Sequence, residues 1–484
     1  MSPTLLFSLV IGYFSLLLAV AWVTSRGATN DAFFIGNKSS NWMLVAFGMI
    51  GTSLSGVTFI SVPGAVGATA FTYFQIVLGQ LIGYFVIAFV LLPIFYKLNL
   101  TSIYDYLGIR LGPRSRKTGA SFFILSRTVG ATARLYLVIN ILQDAILDSL
   151  HVPFWLTAAV IIMMILLYTY EGGVKTIVWT DTLQTSCMLL GLVISVLFLL
   201  HSLNLSINQA WAQMDARGLS KIFVTDIDSK EFWLKQILAG MFIAIAMTGM
   251  DQEMMQKNIS VKTLVNSQKN MVTLALIMVC VVLLFLLLGG LLYLYAPTVG
   301  VTDIGDKIFP AVVLGHLPVL LQVIFVIALI SALFPSADGA ITALTSSFCI
   351  DILSFQKRVN FGEAELKRVR HHVHLGFAGI FLLMIMVFKW IDSSSMIGLI
   401  LKLAAFTYGP LLGLFAFGIL TRRDVRDSLV PWIAMVAPLI SILIDTFQAA
   451  LFGRYQIGLE LLIVNGAITF LGLWLATRPG ISAR

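Results

Sequence analysis

Residues 47–66, FGMIGTSLSGVTFISVPGAV, set Gly51, Ser53, Ser55, Gly56, Thr58, Ser61, Pro63 and Gly64 inside a run apolar enough to cross a bilayer. Glycine and proline interrupt the backbone ladder, and a carbonyl or N–H freed at membrane depth must face protein, an ion or water. With hydroxyls beside it, such a break can hold an ion or a polar solute. The competing reading is a packing face whose small residues let a neighbouring helix approach.

Other residues that could do chemistry are spread along the chain. Asp338 lies in ALFPSADGAITALTSSF, with Pro335, Ser336 and Gly339 around it and Ser346 and Ser347 further on. A carboxylate at membrane depth costs about 2.5–3.5 kcal/mol, so it calls for a cation, a proton or a basic side chain. Arg127 and Arg134 stand seven residues apart, two turns along one helix face. Arg127 can snorkel to the inner surface, whereas Arg134, roughly 20 Å from the inner end of its span, needs a partner. Asp181 opens an apolar stretch, where it or Thr180 serves as an N-cap unless it has a functional role. Gln80 in VLGQLIGYF is either an interhelical hydrogen-bonding group or a ligand contact. The cluster Asp251, Gln252, Glu253, Gln256 and Lys257 ends another glycine-containing span; Gln252 is a candidate solute contact, while Glu253 and Lys257 read as a solvated helix end. Lys402 reads as a snorkelling side chain near an outer surface.

Nothing here points to catalysis. The six histidines show no HExxH spacing, and neither GxSxG nor a phosphate-binding glycine loop occurs. Cys187, Cys280 and Cys349 fall in apolar spans, without disulfide or metal-ligand spacing, and read as core residues.

The elements that must position these groups are transmembrane helices. With 484 residues, 59% hydrophobic, 11% charged and a mean hydropathy of +0.95, the chain carries far fewer charges than the roughly 25% of a soluble domain. Thirteen stretches are long enough to span, near 5–23, 42–66, 73–95, 119–145, 154–170, 181–201, 233–251, 271–295, 318–350, 372–391, 397–420, 429–452 and 457–477. The first has no charged n-region or cleavage motif and reads as a retained helix. Ser39, Ser40 and Asn41 are placed to cap the second, and Gly409, Pro410 and Gly413 predict a kink in the eleventh. With the N-terminus outside, inner loops hold twenty-one lysines and arginines and outer loops seven, which orients the chain N-out, C-in. The +8 charge is thus inner-leaflet topology and requires no nucleic acid. Gly240 and Gly249 interrupt the seventh span, five spans after the first interrupted one, a pattern expected of inverted repeats over 42–201 and 233–420, with 429–477 as two additional C-terminal helices.

The chain resembles the sodium:solute symporter family of sodium-coupled sugar, proline, pantothenate, iodide and sialic acid carriers. The marks are SLSGVTFISVPG at 53–64, LTSIYDYL at 100–107, EGGVKTIVWTD at 171–181, DQEMMQK at 251–257, SADGAITALTSSFCIDI at 336–352 and YGPLLGLFAFGIL at 408–420. The resemblance implies an all-α, leucine-transporter-like 5+5 inverted repeat with broken helices. It implies a sodium site of the Gly51, Leu54 and Ala332 carbonyls with side chains at 335 and 336. Ser336 matches, but Pro335 stands where the family has Ser or Thr, so water or Asp338, one turn on, is the expected replacement. Asp181 matches a residue associated with a second sodium site, whose other ligands lie at Asp338 and Gly339. The sialic acid carriers of the family imply solute contacts at Ser53, Ser55, Thr58 and Gln80; their arginine aligns with Gly130, between Arg127 and Arg134. The expectation is sodium-coupled symport of a small organic, carboxylate or polyhydroxylated solute across a cell inner membrane by alternating access. A proton-coupled carrier and a membrane sensor on the same fold are the alternatives, the sensor disfavoured by the few residues after the last span. The partners implied are the solute, the sodium ion and the lipid bilayer, with no obligate protein partner.

Overall fold

The computed structural model describes residues 3–24, 33–34, 36–148, 151–170, 173–355, 362–391 and 396–477. Glu171 and Gly172, most of the 24–41 linker and residues 356–361 of the basic loop lie outside the described residues. The named helices are α1 (Pro3–Thr24), α2 (Trp42–Thr69), α3 (Tyr73–Lys97), α4 (Pro113–Leu142), α5 (Phe154–Thr169), α6 (Gly173–Ser202), α7 (Trp233–Gly249), α8 (Gln252–Ile259), α9 (Leu264–Tyr295), α10 (Val319–Ser347), α11 (Glu363–Ile391), α12 (Met396–Thr407), α13 (Gly409–Leu420), α14 (Val430–Thr446) and α15 (Leu461–Leu475). Among the described residues, seven are single helices long and apolar enough to span. The pairs α7/α8 and α12/α13 are bent spans, and four shorter apolar helices complete the thirteen predicted stretches.

Each break has a local cause. In α2, Ser55 takes φ 52°, ψ 168°, far from helical geometry. Asn41 caps the helix by accepting from Met43 N. Between α7 and α8 the chain turns 65°, and the Asp251 carboxylate caps α8 by accepting from Glu253 N at 2.9 Å and Met254 N at 3.3 Å. The 46° bend between α12 and α13 falls just before Pro410, which can donate no backbone hydrogen bond to α12.

Glycines bring the two broken helices and their partners within backbone contact. A Cβ at Gly79 of α3 would strike Ile237 O of α7, and one at Gly240 of α7 would strike Ile76 O of α3. A Cβ at Gly48 would fall 3.0 Å from Asp181 Cβ, which fixes the register of α2 on α6. α2 and α10 are buried for most of their length, whereas α1, α14 and α15 present Trp22, Trp432, Leu439 and Leu475 outward to the lipid.

Several expectations change in three dimensions. Helix α6 begins at Gly173, so Asp181 sits in its interior, fully buried, and is not an N-cap. Arg127 does not snorkel: it is 4% exposed and pairs with Glu253 and, at 3.9 Å, with Asp251. Glu253 and Lys257 are 1% and 2% exposed rather than solvated, because α8 folds back into the protein beneath the bend. Cys187 is only half-buried and Cys280 faces outward, leaving Cys349 as the buried cysteine.

Candidate solute and cation site

The break at Ser55 opens onto a small cavity of about 90 Å³ that is partly open to solvent. From α2 it is lined by Thr52, Ser53, Ser55 and Thr58, from α3 by Tyr73, Gln80 and Tyr84, and from α4 by Arg127 and Arg134. Thr248 and Met247 beside the second break and Ile400 and Leu401 of α12 close the other walls. Ser53, Ser55, Thr58, Gln80 and Arg134, expected from sequence, are thus brought to one space. Tyr73, Tyr84 and Thr248 were not anticipated, because an aromatic or a threonine in a long apolar run reads as packing until its neighbours are known.

The two arginines have different situations. Arg127 is consumed by Glu253 and Asp251. Arg134 has no ion pair or side-chain hydrogen bond among the described residues, and it borders the cavity. A half-buried, planar five-donor group without a carboxylate beside hydroxyls is suited to a carboxylate or another anionic oxygen group.

Gln252 is elsewhere. Its Oε1 accepts from Ile103 N at 3.0 Å and its Nε2 donates to Thr101 O at 3.2 Å, so it holds the 100–104 segment and does not line the cavity. Its place at the start of α8 points it away from the break, toward the segment that follows α3.

Below the cavity lies a buried ionic floor. Tyr408 donates to Asp251 at 2.7 Å, Tyr104 donates to Met250 O at 3.0 Å, and Lys257 Nζ donates to Thr52 Oγ1 at 2.6 Å and Asp181 Oδ2 at 2.7 Å. Asp181 is therefore held by an internal ammonium, although its Oδ1 has no hydrogen-bond partner. Asp338 is fully buried; its carboxylate accepts from Tyr168 O–H at 2.8 Å and Gly339 N at 2.5 Å, with no basic side chain in pairing distance among the described residues. Neither Arg127 nor Arg134 is its partner.

The expected cation residues come from two helices that touch. A Cβ at Gly56 would lie 3.8 Å from Ala332 O, and one at Gly51 would lie 3.7 Å from Pro335 Cγ, so the break in α2 abuts the Ala332–Ser336 turn of α10. Gly51, Leu54, Ala332 and Ser336 are all buried, and Ser336 Oγ has no hydrogen-bond partner. Hard oxygen donors of this type suit an alkali cation rather than a transition metal.

Comparison with known proteins places this arrangement in context. The model of the sodium:solute symporter family matches residues 33–427. The sodium/sialic acid symporter NanT of Aliivibrio fischeri is 23% identical over 96% of this chain and 93% of its own length. The sodium/sialic acid symporter SiaT of Proteus mirabilis is 22% identical over 96% and 94%. The human sodium-coupled monocarboxylate transporter 1 is 27% identical over 81% of this chain and 64% of its own. Among solved structures, a Na+-coupled sialic acid symporter in a substrate-bound outward-open state matches with a TM-score of 0.82 at 19% identity, covering 98% of both chains. Mhp1, a nucleobase-cation-symport-1 family transporter, matches with a TM-score of 0.57 at 13% identity over 91% of this chain and 93% of its own. These structural matches show the fold, a leucine-transporter-like inverted repeat with broken helices.

Proposed function

This chain belongs to the sodium:solute symporter family, and on that premise we propose that it imports a small solute bearing a carboxylate, held between Arg134 and the hydroxyls of Ser53, Ser55 and Thr58. It is a multi-pass membrane protein and a sodium-coupled secondary transporter, not an enzyme. The observation that carries the solute class is Arg134, an arginine at membrane depth facing a hydroxyl-lined cavity without a carboxylate of its own. Gln80 and Tyr73, on the facing helix, add groups for the polar remainder of the solute. Relatives named for sialic acid and for monocarboxylates support the same class.

The cation is held where α2 and α10 meet, by the Gly51, Leu54 and Ala332 carbonyls and Ser336 Oγ, with the Asp338 carboxylate lowering the charge to be desolvated. The repeats run over 42–201 and 233–420, with 429–477 appended. The orientation is N-out and C-in, in the cytoplasmic membrane: Lys257 and Arg370 prove to be buried within helices rather than in inner loops, and the lysine and arginine bias persists without them. Alternating access then works by rocking one repeat against the other around the shared breaks.

The test is a thermal-shift screen of carboxylates, neutral sugars and zwitterionic amino acids with sodium or choline chloride, followed by uptake into proteoliposomes under a sodium gradient. A carboxylate that stabilises the protein only with sodium, and accumulates only down the gradient, is the expected result. Stabilisation by neutral sugars alone overturns the carboxylate assignment.

A further inference from the structure

Helix α6 carries several hydroxyls, and most do what buried hydroxyls in a helix do, donating back to a carbonyl one turn earlier. Thr182 donates to Val178 O at 2.7 Å, Ser186 to Thr182 O at 2.8 Å, Ser195 to Gly191 O at 2.8 Å, and Thr180 to Ile177 O at 3.2 Å. Thr185 is different. It is fully buried, yet its Oγ1 has no hydrogen-bond partner. A buried hydroxyl left without a partner is costly when a carbonyl one turn away could satisfy it.

The direction Thr185 takes instead is informative. A Cβ at Gly51 would run into Thr185 Oγ1 and would lie 3.7 Å from Pro335 Cγ. The hydroxyl of α6 is therefore aimed at the stretch of α2 just before its break, beside the residue of α10 that has a pyrrolidine ring in place of an oxygen. Next to that ring, Ser336 is 2% exposed and its Oγ is also unpartnered; further along α10 Thr342 Oγ1 is unpartnered as well, whereas Thr345 and Ser346 donate to Ile341 O and Thr342 O. Two buried hydroxyls on two helices forgo the ordinary back-bond at the place where both meet the broken helix. An alkali cation, which takes oxygen lone pairs and needs no proton, gives both of them a partner.

We infer that Thr185 Oγ1, together with Ser336 Oγ, ligates the co-transported sodium ion where α2, α6 and α10 converge, and that Thr185 supplies the hydroxyl oxygen that Pro335 cannot. This rests on the sodium-coupled reading above and extends it to a third helix. It also gives Gly51 a reason: any side chain there would displace Thr185 Oγ1 from the site. Because α6 holds the ion as well as α2 and α10, its release requires α6 to move relative to both.

The test uses the purified full-length chain and reads sodium binding apart from transport, as the sodium chloride concentration giving half-maximal thermal stabilisation, with choline chloride keeping ionic strength constant. Thr185→Val keeps the shape and removes the oxygen. The expected result is a melting temperature in choline equal to or above that of the wild type, and at least a tenfold rise in the sodium concentration required. In the Thr185→Val background, Pro335→Ser should bring the requirement back to within about threefold of the wild type, since the hydroxyl has only moved from one helix to another. An unchanged sodium requirement in folded Thr185→Val overturns the inference. Where Thr185→Val does not fold, Thr185→Cys, similar in size but offering a soft sulfur, must show the same rise, and its absence overturns the inference equally. A wild-type protein that sodium does not stabilise at all would instead count against the sodium site as a whole.

Discussion

Lys257 Nζ lies 2.7 Å from Asp181 Oδ2 and 2.6 Å from Thr52 Oγ1, so one buried ammonium ties α8, α6 and α2 together directly beneath the solute cavity. The pair is 3% and 0% exposed by side chain. Removing Lys257 leaves the Asp181 carboxylate buried and uncompensated, and removing Asp181 leaves the ammonium only Glu253 Oε1 at 3.6 Å, each at a cost of about 3–5 kcal/mol. Lys257→Met and Asp181→Asn are each expected to lower the melting temperature sharply or abolish expression. The double variant is expected to recover part of the loss, with a coupling energy above about 1 kcal/mol in a double-mutant cycle. Strict additivity of the two losses would show that the contact contributes nothing.

Arg127 and Arg134 make a matched pair of experiments. Arg127→Met takes the guanidinium from Asp251 and Glu253 and leaves Glu253 only Lys257 Nζ at 3.6 Å, so the expected outcome is lost stability of about 3–5 kcal/mol whatever the solute. Arg134→Met breaks no ion pair and should leave a folded protein whose half-saturating solute concentration rises at least tenfold. Arg134→Lys keeps the charge and loses the planar fork, and wild-type uptake by it would exclude bidentate recognition of a carboxylate.

Ser55 sits at φ 52°, a conformation open to glycine and costly for branched residues. Ser55→Gly should hold stability within about 1 kcal/mol of the wild type, while Ser55→Val should cost about 1–3 kcal/mol through backbone strain. Thermal denaturation in the absence of solute measures both. In Ser55→Ala and Thr58→Val, solute affinity at saturating sodium should fall; if both keep wild-type affinity, the solute is not held at the break.

Asp338 accepts hydrogen bonds from Tyr168 and Gly339 only, among the described residues. Asp338→Asn is therefore expected to express and fold, yet to need at least tenfold more sodium for half-maximal uptake. Loss of stability with unchanged sodium dependence would assign Asp338 a structural role in its place.

Gln252 braces the backbone at Thr101 and Ile103 and does not border the cavity. Gln252→Leu should lower stability by about 1–3 kcal/mol, since a buried N–H and a carbonyl lose their partners. Its solute half-saturation should stay within twofold of the wild type, as measured by uptake normalised to folded protein.

What the amino-acid order determined alone was whatever depends on local pattern. Apolar length marked thirteen stretches, Gly and Pro marked the breaks, and the spacing of those breaks suggested a division into two repeats. The hydroxyls at 53, 55 and 58 were legible as candidates for the cavity lining because they sit on the broken segment itself. The tertiary structure decided which polar groups are consumed and which are left free. Arg127 and Arg134 look alike in sequence, yet Glu253, 126 residues away, engages only the first. Asp181 and Lys257 stand 76 residues apart, and only the packing of α8 against α6 converts an apparent helix cap and an apparent solvated lysine into one buried pair. The same holds for Thr185: its type is ordinary for a membrane helix, and its missing back-bond and its contact with Gly51 exist only once α2 and α6 are in register. Charge and hydrogen-bond satisfaction at membrane depth are properties of pairs, and a sequence shows one member at a time.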